Sequence, residues 1–105
     1  MVKISEAELE VMKIVWEKDE ITSSEIVDKL QNKNWTDNTI RTLINRLVNK
    51  KAIGISRKER NRIYIYVPLI KEEKYKNYVS KKLLKKLFNN SIEEMIECLK
   101  YNDED

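Results

Sequence analysis

The chain contains one glycine and one proline in 105 residues, Gly54 and Pro68. The two residue types that most strongly break helices are thus confined to one short stretch, and the regions on either side can remain helical without interruption. The stretch itself reads as a pair of strands. Ile53-Gly54-Ile55-Ser56-Arg57 and Ile63-Tyr64-Ile65-Tyr66-Val67 alternate and are rich in β-branched and aromatic side chains. Between them, Lys58-Glu59-Arg60-Asn61-Arg62 reads as a basic turn in which Asn61 tolerates a positive φ, and Pro68 closes the second strand.

Helix-start signals fill the region before the strands. Ser5-Glu6-Ala7-Glu8 is a capping box opening a helix to about Lys18, with Ala7, Val11, Ile14 and Val15 as one apolar stripe widened by Met12 and Trp16. Thr22-Ser23-Ser24-Glu25 repeats the box and opens a short helix that turns Ile26, Val27 and Leu30 inward. Thr36 is the cap of a third helix. Asp37 suits the positive end of its dipole, and Trp35 and Ile40 stand at hydrophobic-staple positions. Ile40, Leu43, Ile44, Leu47 and Val48 form its apolar stripe. The opposite face presents Asn38, Thr42, Asn45 and Asn49, flanked by Arg41 and Arg46, without a single acid.

After Pro68 the pattern is helical again. Tyr75, Tyr78, Val79, Leu83, Leu84, Leu87 and Phe88 make an apolar face on a long helix interleaved with lysines, Asn89-Asn90 breaks it, and Ser91-Ile92-Glu93-Glu94 is another capping box. Ile92, Met95, Ile96 and Leu99 line the last helix. These two helices have no evident core of their own, so their apolar faces call for a second copy of the chain rather than for their own N-terminal region. The expected fold is mainly α with a small β-hairpin: a winged helix-turn-helix over residues 1–69, then a helical dimerisation segment over 70–105. Dimerisation falls to Tyr75, Val79, Leu83, Leu84, Leu87, Phe88, Ile92, Met95, Ile96 and Leu99. Cys98, beside the last stripe, reads as a small hydrophobe at that contact.

Charge is distributed unevenly. Residues 1–40 hold five lysines against nine acids, residues 41–62 hold eight basic residues against Glu59 alone, and residues 63–105 balance at eight of each. A +7 segment only 22 residues long is the electrostatic footprint of phosphate binding. The plain alternative, a solvated Lys-rich surface, fits poorly with five arginines in that segment. Other chemistries lack their residues. The absence of histidine removes the commonest general base and metal ligand, Cys98 alone cannot form an intrachain disulfide or a thiolate cluster, and Gly54 alone cannot build a Gly-rich phosphate loop. The expectation is a protein that is not an enzyme and takes no cofactor or metal. No apolar run approaches the roughly 20 residues of a membrane span, and the start lacks a signal-peptide core, so a cytoplasmic location is expected.

Double-stranded DNA is the partner that this arrangement fits. Asn38, Arg41, Thr42 and Asn45, on the N-terminal half of the third helix, are placed to read base edges: Arg41 with guanine, the asparagines with adenine, the Thr42 methyl with thymine. Thr36, Thr39, Arg46 and Lys50 suit phosphates. So do Ser23 and Ser24 at the start of the second helix, and Arg60 and Arg62 in the hairpin turn. Trp16 and Trp35 read as core anchors, and Tyr64 and Tyr66 as sheet-packing residues. An adaptor whose winged helix binds protein is the competing class; the acid-free face of the third helix argues against it.

Several of these segments resemble the penicillinase repressor (BlaI/MecI) family. The resemblance covers Ile4-Ser5-x-Ala7-Glu8-x-x-Val11-Met12-x-x-Val15-Trp16, Thr22-x-x-Glu25-Ile26 and Trp35-Thr36-x-x-Thr39-Ile40-x-Thr42-Leu43-x-x-Arg46-Leu47. It continues through Lys50-Lys51 and Arg62-x-Tyr64-x-Tyr66-x-Pro68-Leu69 and ends at Asn90-Ser91. It implies a homodimer that represses transcription from palindromic operators, often of β-lactamase or related resistance genes. It also implies induction by proteolytic cutting in the dimerisation segment, triggered by a membrane sensor. Two departures stand out: Asn61 replaces the glycine usual before the wing arginine, and Met95-Ile96-Glu97-Cys98-Leu99 replaces the Asn-Phe cut dipeptide. Copper-responsive relatives carry a C-terminal cysteine cluster; here Cys98 stands alone.

Overall fold

A computed structural model describes residues 1–58 and 63–102, with Arg57 and Lys58 described by backbone alone. The turn expected at 58–62 thus falls largely outside the described residues, Asn61 included. Among the described residues five α-helices and two strands follow one another: α1 (Glu6–Lys18), α2 (Ser23–Lys29), α3 (Asp37–Asn49), β1 (Ile53–Lys58), β2 (Tyr64–Pro68), α4 (Glu72–Phe88) and α5 (Ile92–Leu99). A 3₁₀ turn, Gln31–Lys33, follows α2. The chain divides into two compact units, Met1–Lys71 and Glu72–Asp105. Among the described residues no helix is long and apolar enough to cross a membrane.

The expected caps position the first three helices. Ser5 Oγ accepts from the Glu8 amide at 3.1 Å while Glu8 Oε1 accepts from the Ser5 amide at 2.9 Å, and Thr22 and Glu25 repeat the exchange at 3.2 and 3.1 Å. Each exchange satisfies two amides that a helix start otherwise leaves open. Thr36 caps α3 by accepting from the Thr39 amide at 3.1 Å. The core of the first unit is built from Val11, Met12 and Val15 of α1, Ile26 and Val27 of α2, and Ile40, Leu43, Ile44 and Leu47 of α3, with Ile53 and Ile65 from the hairpin. Met12, read only as widening the α1 stripe, is fully buried, whereas Ile14 is half-buried at its margin. Trp16 anchors α1 as expected, its indole donating to the Ile70 carbonyl at 2.8 Å.

Three features of this unit are additions to the expected plan. Ile21 exchanges two backbone hydrogen bonds with Tyr66 (2.8 and 3.1 Å), so β2 lies between β1 and a single bridging residue rather than at an edge of the hairpin. β1 pairs antiparallel with β2 from Ile53↔Pro68 to Ile55↔Tyr66, then shifts register to Arg57↔Ile65, which leaves Ser56 as the extra residue of a bulge. Finally, α3 ends in a complete Schellman motif. The Ala52 amide donates to the Leu47 carbonyl at 2.9 Å and the Lys51 amide to Val48 at 3.0 Å, with Lys51 left-handed at φ 63. Glycine is the usual residue at that position.

In the second unit, α4 and α5 pack on each other across Asn89 and Asn90, both with positive φ. The capping box expected at Ser91 is only half formed. Ser91 Oγ accepts from the Glu94 amide at 3.1 Å, but the Ser91 amide donates to the Phe88 carbonyl at 2.7 Å and is closed to Glu94. The single apolar face expected on α4 is split. Leu84 and Phe88, with Met95 of α5, are half-buried, while Val79, Leu83, Leu87, Ile92, Ile96 and Leu99 are exposed. No described residue of this unit is buried.

One ionic contact ties the ends of α1 and α3. Glu8, only 2% exposed, accepts from Lys50 Nζ at 2.6 Å, and the same ammonium donates to the Lys3 carbonyl at 2.8 Å. Burial pushes the Glu8 carboxyl up, but the Lys50 hydrogen bond, the Ser5 amide and the Lys50 charge together hold it below the ordinary glutamate value. A carboxyl lowered in the folded state stabilises above its unfolded pKa, and that stability is lost as pH falls through the folded value.

Urea unfolding as a function of pH should therefore show stability declining as pH falls below about 4.5. In Lys50→Met the decline should be shallower, because a buried Glu8 without its ammonium is better accommodated protonated, while the lowered carboxyls of Glu10 and Glu25 still respond. An unchanged slope in Lys50→Met would remove Glu8 from the acid response. Lys51→Gly should raise stability by about 0.5–1 kcal/mol, since it relieves a left-handed non-glycine residue while adding some unfolded-chain entropy. The urea midpoint measures it, and a lower midpoint would contradict the assignment.

Candidate nucleic-acid interface

The buried stripe of α3 fixes its rotation, and its outer face follows. Asn38, Arg41, Thr42, Asn45 and Arg46 are all exposed on it, and two shallow grooves flank them. One is lined by Ser23, Arg41, Ile44, Asn45, Tyr64 and Tyr66; the other by Asn38, Thr39, Thr42, Leu43 and Arg46. The four candidate base-reading residues thus share one helix face, with Thr39 and Arg46 beside them. A ridge of amide, guanidinium and methyl groups between two depressions is the relief that a helix presents to a groove of duplex DNA.

Individual side chains are already partly engaged. The Thr42 hydroxyl donates back to the Asn38 carbonyl at 2.8 Å, which leaves its methyl as the outward group. The Thr36 and Thr39 hydroxyls lie 3.0 Å apart, and Thr36 also caps α3. Arg41 Nη1 donates to Ser23 Oγ at 2.9 Å across 18 residues of sequence. Ser24, next along α2, is exposed.

Lys50, expected among the phosphate contacts, is engaged within the fold. Its ammonium is held by Glu8 and the Lys3 carbonyl, so much of its charge is balanced within the fold. The acid responsible lies 42 residues earlier in the chain, beyond the reach of helix spacing. Arg60 and Arg62 lie outside the described residues.

Tyr64 and Tyr66 belong to this region more closely than a sheet-packing role suggests. Tyr66 is 7% exposed and Tyr64 39%, their rings meet edge to face at 6.2 Å, and both line the groove beside Arg41. Burial pushes the Tyr66 hydroxyl above the usual tyrosine range, Tyr64 adds to the rise, and the Arg41 guanidinium opposes it. Strand alternation does place two residues two apart on one face. The Ile21 bridge that holds the Tyr66 backbone has no period in the sequence. Among the described residues no cluster of three or more His, Cys, Asp or Glu could hold a metal ion.

Known proteins match this arrangement over most of its length. The family model described as penicillinase repressor matches residues 4–104. The penicillinase repressor of Bacillus licheniformis is 32% identical over 103 residues, 97% of this chain and 79% of that protein. The penicillinase repressor of Staphylococcus aureus is 38% identical over 104 residues, 98% and 81% of the two chains. The methicillin resistance regulatory protein MecI of Staphylococcus aureus strain N315 is 37% identical over 95 residues, 90% and 76%. Among solved structures, the DNA-binding domain of the repressor BlaI superposes with a TM-score of 0.60 at 36% identity, covering 70% of this chain and 88% of that one. The monomeric form of Bacillus licheniformis BlaI, solved in complex with the blaP half-operator, gives 0.59 at 39% identity, covering 70% and 89%. The resemblance carried by Trp35-Thr36-x-x-Thr39 and Arg62-x-Tyr64-x-Tyr66-x-Pro68-Leu69 is thus one of descent, and the chain belongs to the penicillinase repressor family, a family of transcriptional repressors rather than enzymes.

Proposed function

We propose that this protein represses transcription of resistance genes by binding palindromic operator DNA as a homodimer, with α3 in the major groove. The observation that carries the reading is the outer face of α3: Asn38, Arg41, Thr42 and Asn45 stand exposed together on a helix whose rotation is locked by four buried residues. Arg41 pairs with guanine, Asn38 or Asn45 with adenine, and the Thr42 methyl with thymine. Phosphate contacts come from Thr39, Arg46 and the exposed start of α2 at Ser24, with Arg60 and Arg62 along the backbone. The solved complex of a relative with a half-operator and the names of the relatives support DNA and resistance genes as the targets.

Dimerisation is assigned to the second unit. Val79, Leu83 and Leu87 form an exposed row at four-residue spacing on α4, and Ile92, Ile96 and Leu99 continue the apolar surface on α5. A two-fold dimer presents two copies of α3 to two half-sites, which makes the operator a palindrome. An inducing protease governed by a membrane sensor, as the family implies, would act on this same unit, although α5 carries Met95-Ile96-Glu97-Cys98-Leu99 and no Asn-Phe.

Selection of binding sites from random duplex DNA should return a palindrome, and a salt titration of the winner should give a log–log slope corresponding to roughly 6–10 phosphate contacts. Recovery of no consensus would leave a protein-binding adaptor or a non-specific binder. Arg41→Ala and Asn45→Ala should each relax the choice of one base pair by about 1–3 kcal/mol, whereas Arg62→Ala should weaken specific and random DNA alike. Equal effects of all three on both DNAs would remove α3 from base reading. In the intact chain, Leu87→Glu should sediment as a monomer at micromolar concentration and bind the palindrome no better than a half-site. A wild-type monomer at that concentration would refute the dimer.

A further inference from the structure

We propose that Ser23 is a positioning residue for Arg41: its hydroxyl holds the guanidinium beside Tyr66 in the free protein, so that Arg41 meets the DNA already oriented. This rests on the reading of Arg41 as a base contact. It moves Ser23 from the phosphate contacts to a support of the base-reading helix.

The geometry carries the argument. Arg41 Nη1 lies 2.9 Å from Ser23 Oγ, a contact between the outer face of α3 and the first residue of α2. An exposed arginine samples many rotamers, and binding in one of them costs the rest. Ser23, which accepts its hydrogen bond, and Tyr66, which lines the same groove, are both tied into the fold. Ser23 is half-buried at the start of a helix whose phase is set by the buried Ile26, Val27 and Leu30 and whose cap is closed by Thr22 and Glu25. Tyr66 is anchored through its own backbone, exchanging hydrogen bonds with Ile21 at 2.8 and 3.1 Å. Ser23, Arg41, Asn45 and Tyr66 line one groove, so the fixed guanidinium stands next to a second candidate base reader.

The chemistry of the acceptor matters as well. Guanidinium has five N–H donors, and one bond to a hydroxyl leaves enough for a bidentate pair with guanine O6 and N7. Serine is neutral, so it orients the cation without cancelling the charge that draws it to DNA. A carboxylate at the same place would orient it more strongly and compete with the DNA for it.

The test compares binding of the selected operator with operators changed one base pair at a time, using the intact protein and the variants Ser23→Ala, Ser23→Thr, Ser23→Asp, Arg41→Ala and Ser23→Ala/Arg41→Ala. The base pair whose identity ceases to matter in Arg41→Ala is the one Arg41 reads. Ser23→Ala should lower discrimination at that base pair by roughly threefold to tenfold, the range expected for loss of one hydrogen bond, and leave the other positions and the salt slope unchanged. Ser23→Thr, which keeps the hydroxyl, should restore it. Ser23→Asp should weaken operator binding further than Ser23→Ala. In the Arg41→Ala background the alanine at position 23 should have no further effect. A uniform loss on specific and random DNA, or an effect that persists without Arg41, overturns the proposal and makes Ser23 a phosphate contact. If Arg41→Ala changes no base preference, the reading of Arg41 and the proposal fall together. If it does and Ser23→Ala does not, the proposal alone falls.

Discussion

Burial of one stripe on α3 governs the rest of the first unit. Ile40, Leu43, Ile44 and Leu47 are each at most 4% exposed, packed toward α1, α2 and β1. Removing each from water contributes about 1.5–3 kcal/mol, against roughly 1 kcal/mol for a cap such as Thr36. The cap therefore sets where the helix begins, and the stripe sets which way it faces. At 100° per residue, a helix held by 40, 43, 44 and 47 has no freedom to turn 38, 41, 42 and 45 inward. The same four contacts that hold the fold together aim the candidate interface. A substitution that loosened them would disturb binding through orientation before any interface residue had been touched.

Electrostatics reinforces this division between inner and outer faces. The described ion pairs of the first unit join lysines to glutamates: Lys13 and Lys33 to Glu10, Lys29 to Glu17, Lys50 to Glu8. The glutamates all belong to α1, and they balance cations that would otherwise weaken the contrast between surfaces. Arg41 instead meets a neutral hydroxyl. Net charge alone, +3 for the whole chain, conceals this. What a phosphate backbone would meet is the local field of the 41–62 segment, in which Lys50 is paired with Glu8 while Glu10 and Glu17 are engaged with lysines outside it.

How much of this was legible follows from the range of each signal. Capping boxes at Ser5 and Thr22, the cap at Thr36 and the stripe of α3 depend on residues three or four apart, and all four stand as read. What was not legible has several causes. Glu8 reads as a capping-box residue, and its burial goes with a partner that spacing does not show, Lys50, which arrives from the far end of α3. The bridge at Ile21 is one residue long and has no period. Lys51 ends α3 in a left-handed conformation without the glycine that normally signals it, because the Schellman hydrogen bonds and the burial of Ala52 outweigh the local strain. At Ser91 the box motif is present, but the end of the preceding helix takes the amide first. Of the candidate site, the residues of α3 were readable from periodicity, whereas the Ser23 and Tyr66 neighbours of Arg41 required the tertiary arrangement.

The second unit obeys a different balance. Helices as short as the eight residues of α5 are marginal alone in water, and a lasting fold needs burial that the described residues of the second unit lack in one copy. Leu87 and Leu99 remain 64% and 75% exposed, and the half-buried Leu84, Phe88 and Met95 are the most covered apolar side chains along α4 and α5 apart from Tyr75 and Tyr78. Under the proposed dimer, the area that orders these helices is the area that joins the copies, so ordering and association are a single equilibrium set by protein concentration. The first unit, with its own core, does not share that dependence. DNA affinity then acquires a concentration threshold from the second unit while base choice stays with the first. Any signal acting on α4 or α5 could change occupancy of the operator without altering a residue of α3.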